Sequence, residues 1–157
     1  MTHPSLGALA ALVGTWRGEG EGHYPTIAPF RYGEEVVFAH DGRPVLAYRQ
    51  RTWNIDSEAT MHVESGFLRG QMDGHVELVV AQPTGFVEVA TLALHEEGGA
   101  IVLDGERAPV GRTPSAKPVE DLRRRFRVEG DVLTYDLWMT YAGHDDVHHL
   151  RGVLHRG

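Results

Sequence analysis

The 157-residue chain contains no cysteine. That excludes a disulfide, a zinc–thiolate site, an iron–sulfur centre and a thiol nucleophile. It also lacks any apolar run near the roughly 18–20 residues that a membrane-spanning helix needs. Positive charge is scarce: the formal net charge is −7, and neutralising phosphates takes a Lys/Arg surplus on some face. Nucleic acid and membrane are therefore not expected partners. The one basic run, Arg123-Arg124-Arg125, reads as a strand segment whose outward residues are solvated. The opening MTHPSLGALAALVG lacks the basic start and long apolar core of a signal peptide. A cytoplasmic location is the expectation, with residues 1–157 forming one domain.

What is present is mostly strand. Helical signal is confined to residues 4–12: Ser5 can cap a helix, Leu6, Leu9 and Leu12 fall near helical spacing, and Gly14 stops it. So short a helix must dock, and one end of a barrel is the natural place for it as a plug. Ten strand-like runs follow, at 15–22, 31–40, 44–53, 61–69, 75–82, 86–95, 100–103, 119–128, 132–142 and 146–155. Asp41-Gly42, Asp73-Gly74, Gly98-Gly99 and Glu129-Gly130-Asp131 punctuate them as hairpin turns. Two longer loops are expected, at 23–29 and 104–118; the second has three prolines and two glycines and reads as a functional loop or lid. No crossover helix is long enough for a parallel sheet. The fold class is all-β: a ten-stranded antiparallel up-and-down β-barrel, lipocalin-like, with a short N-terminal helix. A ten-stranded barrel is too wide for side chains to fill, so it should hold a ligand.

Parity assigns faces, because side chains alternate along a strand. From 132 to 140, Leu133, Tyr135, Leu137 and Met139 go inward. Gly14, Gly18, Gly20 and Gly22 leave the even face of the first strand nearly bare; small residues there suit barrel closure. That face is also a candidate for a two-fold contact, giving a homodimer. The last strand carries His144, His148, His149 and His155. Hydrophobic parity sends Leu150 and Leu154 inward with His148, and leaves His149 outside with Arg151. A bulge at Val147-His148 would reverse that. His144 and His148 have a zinc-like spacing only on a helix, and this segment is not helical.

The segment Gly14-Thr15-Trp16-Arg17-Gly18-Glu19-Gly20 fits G-x-W-x-G-x-G, and Tyr24-Pro25-Thr26-Ile27 follows it closely. With Glu34-Glu35-Val36-Val37-Phe38, Glu64-Ser65-Gly66-Phe67-Leu68-Arg69 and a C-terminal H-L-x-x-x-L-H-R, the whole chain resembles the nitrobindin family. The resemblance implies a ten-stranded barrel with haem b at one end, its iron mostly ferric and bound by a single histidine. It further implies nitric oxide binding and the conversion of peroxynitrite to nitrate. The iron ligand falls on His149, and a haem-associated lysine on Lys117 in Pro114-Ser115-Ala116-Lys117. Met61-His62 match a pair at the haem mouth and Met139 a pocket methionine, while Tyr24 and Thr26 are expected at the cofactor. The family commonly has lysine where this chain has His23, so a charge at that place is not carried over. The alternative is a haem-free, lipocalin-like carrier of a fatty acid or another apolar small molecule.

Overall fold

From residue 16 to residue 92 the even-numbered positions carry most of the large apolar side chains, and the structure turns them to one side. Trp16, Val36, Phe38, Leu46, Tyr48, Leu68, Leu78 and Leu92 are each at most 2% exposed. One buried face on so long a sheet is satisfied by rolling the sheet on itself, which also removes its edges.

The computed structural model describes residues 4–157. After a 3-10 helix at Pro4–Leu12 come β1 (Gly14–Tyr24), β2 (Ile27–His40), β3 (Val45–Trp53), β4 (Thr60–Gly70) and β5 (His75–Gln82). β6 (Phe86–Glu97), β7 (Ala100–Gly105), β8 (Ala108–Arg112), β9 (Val119–Glu129), β10 (Val132–Tyr141) and β11 (His144–Arg156) complete the chain. All pairings are antiparallel. β11 pairs with both β10 and β1, and β10 also pairs with β9, which closes the sheet. Among the described residues no helix is long and apolar enough to cross a membrane.

β7 and β8 form one stave. Both lie between β6 and β9, and the register slips by one residue between them: Leu92 faces Gly105, whereas Glu88 faces Val110. An extra residue near Glu106 and Arg107 breaks the stave as a bulge does. The barrel thus has ten staves, as the sequence predicts. The expected lid at 104–118 is a correction: half of it is strand. Pro109 and Gly111 hid β8, since proline is tolerated next to a bulge. Residues 113–118 make a short turn, pinned by Thr113 N–H to the Gly85 carbonyl (2.9 Å) and Lys117 N–H to the Thr84 carbonyl (3.0 Å). The loop expected at 23–29 also shrinks. β1 runs to Tyr24 and β2 begins at Ile27, leaving Pro25 and Thr26 as the turn.

The N-terminal helix plugs one end. Its Leu9 and Leu12, three apart, share a face of the 3-10 turns that follow a kink at Gly7, and Leu6, before the kink, is buried with them. Its last carbonyls find donors in the barrel wall: Trp16 Nε1–H reaches Leu12 (2.7 Å) and Arg156 Nη2 reaches Ala11 (2.9 Å).

The glycines of β1 face inward, so the two-fold contact expected of them is not available. Gly20 lies opposite Tyr32 and Gly22 opposite Phe30, and on β11 Gly152 lies opposite Tyr135. Each ring lies across its glycine. A Cβ would come within 2.3 Å of Tyr32 at position 20 and within 2.3 Å of Tyr135 at position 152. Gly20→Ala is therefore expected to destabilise the barrel by about 1–3 kcal/mol, the usual effect of overpacking. Urea unfolding measures it; a change under about 0.5 kcal/mol, typical of an unconstrained surface site, would mean that Tyr32 moves aside freely.

Candidate functional site

The interior has an apolar layer at the plugged end, a polar belt across the middle and a second apolar group at the far end. The belt comes from polar residues that share the inward parity. Arg124 lies between Leu122 and Phe126 on the buried face of β9. Its guanidinium bonds Glu64 twice (2.6 and 3.0 Å) and Glu88 once (2.8 Å), and Tyr48 donates to Glu64 at 2.6 Å. Burial alone would raise the Glu64 carboxyl, but Arg124 and His62 hold it well below the usual carboxylate range. Burial pushes Glu88 upward.

A second cluster sits beside the first. The Tyr135 hydroxyl is hydrogen-bonded to Glu34 Oε2 at 2.6 Å, and the hydroxyls of Tyr32 and Tyr135 are hydrogen-bonded to each other. Burial pushes the Glu34 carboxyl up to about 8. The sequence reading of 123–125 as a charged strand with solvated outer residues holds only for its neighbours: Arg123 stacks on Trp138 (3.8 Å) and Arg125 reaches Glu97 (3.2 Å).

Beyond the belt, at the end opposite the plug, lies a cavity of about 190 Å3. Phe30, Val119, Leu122, Leu137, Met139 and Leu150 give it apolar walls. Tyr32, Tyr135, Glu64 and Arg124 bring the belt to its floor, and Met61, His62, Lys117 and His149 complete it.

His149 enters through a bulge. Leu137 pairs with Leu150 and Trp138 with His148, so His149 has no partner on β10. Alternation breaks at that residue. His148 turns outward, stacking on Trp138 at 5.0 Å and bonding Asp136 at 2.8 Å, while His149 and Leu150 both face the cavity. The parity reading that sent His148 inward and His149 out is corrected: the extra residue resets the phase.

Nδ1 of His149 lies 2.9 Å from the His23 carbonyl. A carbonyl only accepts, so Nδ1 carries the proton and the lone pair resides on Nε2. Burial holds this imidazole below the ordinary histidine value, which keeps it neutral at pH 7. The rings of Tyr24 (5.5 Å) and Phe30 (6.4 Å) brace it edge-on, and Tyr24 donates its hydroxyl proton to the Tyr141 carbonyl. The turn before His149 is clamped by Arg107, which reaches Asp145 (2.6 Å) and Asp121 (2.9 Å).

Of the other residues singled out from sequence, Met139, Lys117 and His62 line the cavity with His149. Lys117 Nζ lies 4.9 Å from the Tyr141 ring, and His62 Nε2 lies 3.3 Å from Glu64. Tyr24 supports the imidazole from the side. Thr26 is exposed in the β1–β2 turn, outside the cavity lining. Among the described residues no group of three or more His, Asp or Glu could hold a bare metal ion. A metal at His149 would take its other donors from a prosthetic group. One neutral imidazole, an apolar chamber and a cation at the rim fit a haem. The signals missed in sequence were Arg124 and Glu34, both polar residues on an apolar parity.

A closed antiparallel barrel, plugged at one end and hollow at the other around a buried, carbonyl-held histidine, is a ligand-binding barrel of the haem-pocket type. The chain belongs to the family described as THAP4-like, heme-binding beta-barrel domain, whose model matches residues 5–156. A Nocardia farcinica protein named peroxynitrite isomerase is 47% identical over 154 residues, covering 98% of this chain and 92% of its own. Peroxynitrite isomerase 2 of Mycobacterium marinum is also 47% identical, with coverages of 98% and 96%. The crystal structure of Rv2717c from M. tuberculosis matches with a TM-score of 0.93 at 42% identity, over 100% of this chain and 99% of that one. The resemblance to nitrobindins is borne out.

The belt makes two predictions. Arg124→Ala strands two buried carboxylates and is expected to cost about 3–5 kcal/mol in urea unfolding. Glu34 acts through pH. Its folded value near 8 exceeds the unfolded one, so between the two the native state holds a proton that the unfolded chain lacks. Its contribution therefore falls as pH rises from 5 to 8, by up to about 1.4 kcal/mol per unit. Stability measured across that range should lose this slope in Glu34→Gln; an unchanged slope contradicts a protonated Glu34.

Proposed function

We propose that this protein binds haem b through Nε2 of His149 and isomerises peroxynitrite to nitrate, taking nitric oxide at the same iron. The observation that carries this reading is the imidazole: its Nδ1–H is held by the His23 carbonyl and its free lone pair belongs to a cavity-lining ring. The family's heme-binding description supports it, as do the peroxynitrite isomerase names of relatives 46–47% identical. Without cysteine the chain can form no thioether link, which excludes a c-type attachment and is in keeping with the b type.

When bound, haem would supply a Lewis-acidic iron able to take an anion or a diatomic. The chain does the rest. His149 anchors the group, and the carbonyl on its far nitrogen fixes the ring's orientation and raises its basicity. Val119, Leu122, Leu137 and Met139 would shield the bound anion from water and hinder its escape. Lys117 at the rim can pair with a propionate. Tyr24 holds the imidazole in place, and Met61 and His62 close the chamber from β4.

An absorption spectrum after loading with haem tests the assignment. Wild type should show a Soret band, and His149→Ala should retain haem at least about tenfold less well, since even partners of a ligand cost that much. Equal bands in the two would overturn the ligand assignment. No band in either would favour a haem-free carrier of apolar molecules.

A further inference from the structure

We propose that Glu34, Tyr135 and Tyr32 form a proton relay that ends in the cavity, lending a proton to an oxygen anion bound there and recovering it when a less basic product leaves. The inference rests on the cavity reading above and adds to it the groups that handle the proton.

The geometry is a chain of three. Glu34 is fully buried and absent from the cavity lining, while Tyr32 and Tyr135 both line it. Glu34 Oε2 bonds the Tyr135 hydroxyl at 2.6 Å, which bonds the Tyr32 hydroxyl in turn. Counting protons fixes what the chain can do. With Glu34 ionised, Tyr135 donates to the carboxylate and Tyr32 donates to Tyr135, so neither hydroxyl has a proton to offer the cavity. With a proton on Oε2, both donations reverse and the Tyr32 O–H is free to turn to the cavity. The charge state of a group that never meets the ligand is thereby passed to the ligand as the direction of an O–H.

Several observations indicate that Glu34 holds that proton. Its buried Oε1 has no hydrogen bond of normal length, Gln50 acting on the carboxyl only weakly, and so thin a set of donors is costly for a carboxylate and mild for the carbonyl of a neutral acid. Facing it are Tyr32 from β2, Tyr135 from β10, Gln50 from β3, Glu64 from β4 and Arg124 from β9. Arg124 is the only cation of the set, and it is committed to Glu64 and Glu88. Burial outweighs what it gives Glu34, whose value rises to about 8. The rings that carry the hydroxyls lie against Gly20 and Gly152, where a Cβ would come within 2.3 Å of Tyr32 and of Tyr135.

The transfer balances. The Tyr32 O–H bond breaks as the proton joins the anion; Tyr135 reprotonates Tyr32, and Glu34 reprotonates Tyr135. Peroxynitrite is basic enough to accept. Nitrate is not, so its formation returns the proton along the same chain and no net proton is consumed.

Two readouts test this without turnover. In the apoprotein, infrared spectroscopy should find a protonated carboxyl at pH 7 that titrates near 8 and is missing in Glu34→Gln. In haem-loaded protein, fluoride affinity should fall about tenfold per pH unit above that point, as loss of one linked proton requires. Glu34→Gln should abolish that break. Tyr32→Phe, which keeps the ring against Gly20, should bind fluoride about tenfold more weakly below it, the cost of one hydrogen bond to an anion. No carboxyl band, or fluoride curves that match in all three proteins, would overturn the relay. Protein that takes up no haem overturns the function proposed above instead, and leaves the relay to stand or fall on the infrared titration.

Discussion

The hydrogen bond from His149 Nδ1–H to the His23 carbonyl depends on β11 having one residue more than β10 needs. In a regular strand, position 149 would share a face with Arg151 and project into water. The bulge turns it inward without moving Leu150, and the imidazole then lies beyond the last β1–β11 pair, Gly22 with Leu150. There the main chain of β1 still offers a carbonyl at 2.9 Å. Burial removes the charge, the carbonyl selects the tautomer, and the ring edges of Tyr24 and Phe30 fix the plane. Packing and one main-chain acceptor thus leave the Nε2 lone pair of a cavity-lining imidazole free.

The polar belt explains why the barrel can be hollow at one end and solid at the other. Side chains from the plugged half pack around Trp16, Phe38 and Phe126. The floor above them is made of charges that satisfy one another, so it does not collapse into the chamber. A buried ion pair is an expensive way to make a floor, because desolvation opposes the attraction. Here one guanidinium serves two carboxylates and a tyrosine completes the set. What the arrangement gives in return is a rigid polar surface beneath an apolar room.

Much of this was legible from residue order. Turn dipeptides and alternating parity predicted ten staves, and the inward face of β10 (Leu133, Tyr135, Leu137 and Met139) is the observed one. The leucine spacing of the N-terminal helix predicted a plug. The failures have physical causes. Hydrophobic parity assumes a regular strand, so a single extra residue at 149 inverts its answer. The partner of the imidazole is a backbone carbonyl, which no side-chain pattern can reveal. Pro109 and Gly111 made a strand look like a loop, and the flanking arginines concealed Arg124, though Leu122, Arg124 and Phe126 share one parity. The glycine face of β1 looked like a bare surface because its cover, Phe30 and Tyr32, comes from the next strand.

The most direct measurement is a crystal structure of the haem-loaded protein. The account predicts iron bonded to Nε2 of His149, with Nδ1 still on the His23 carbonyl and the porphyrin within the chamber of Leu122, Leu137 and Met139. Iron on His62 or His144 instead, or haem bound outside the barrel with His149 free, would contradict it.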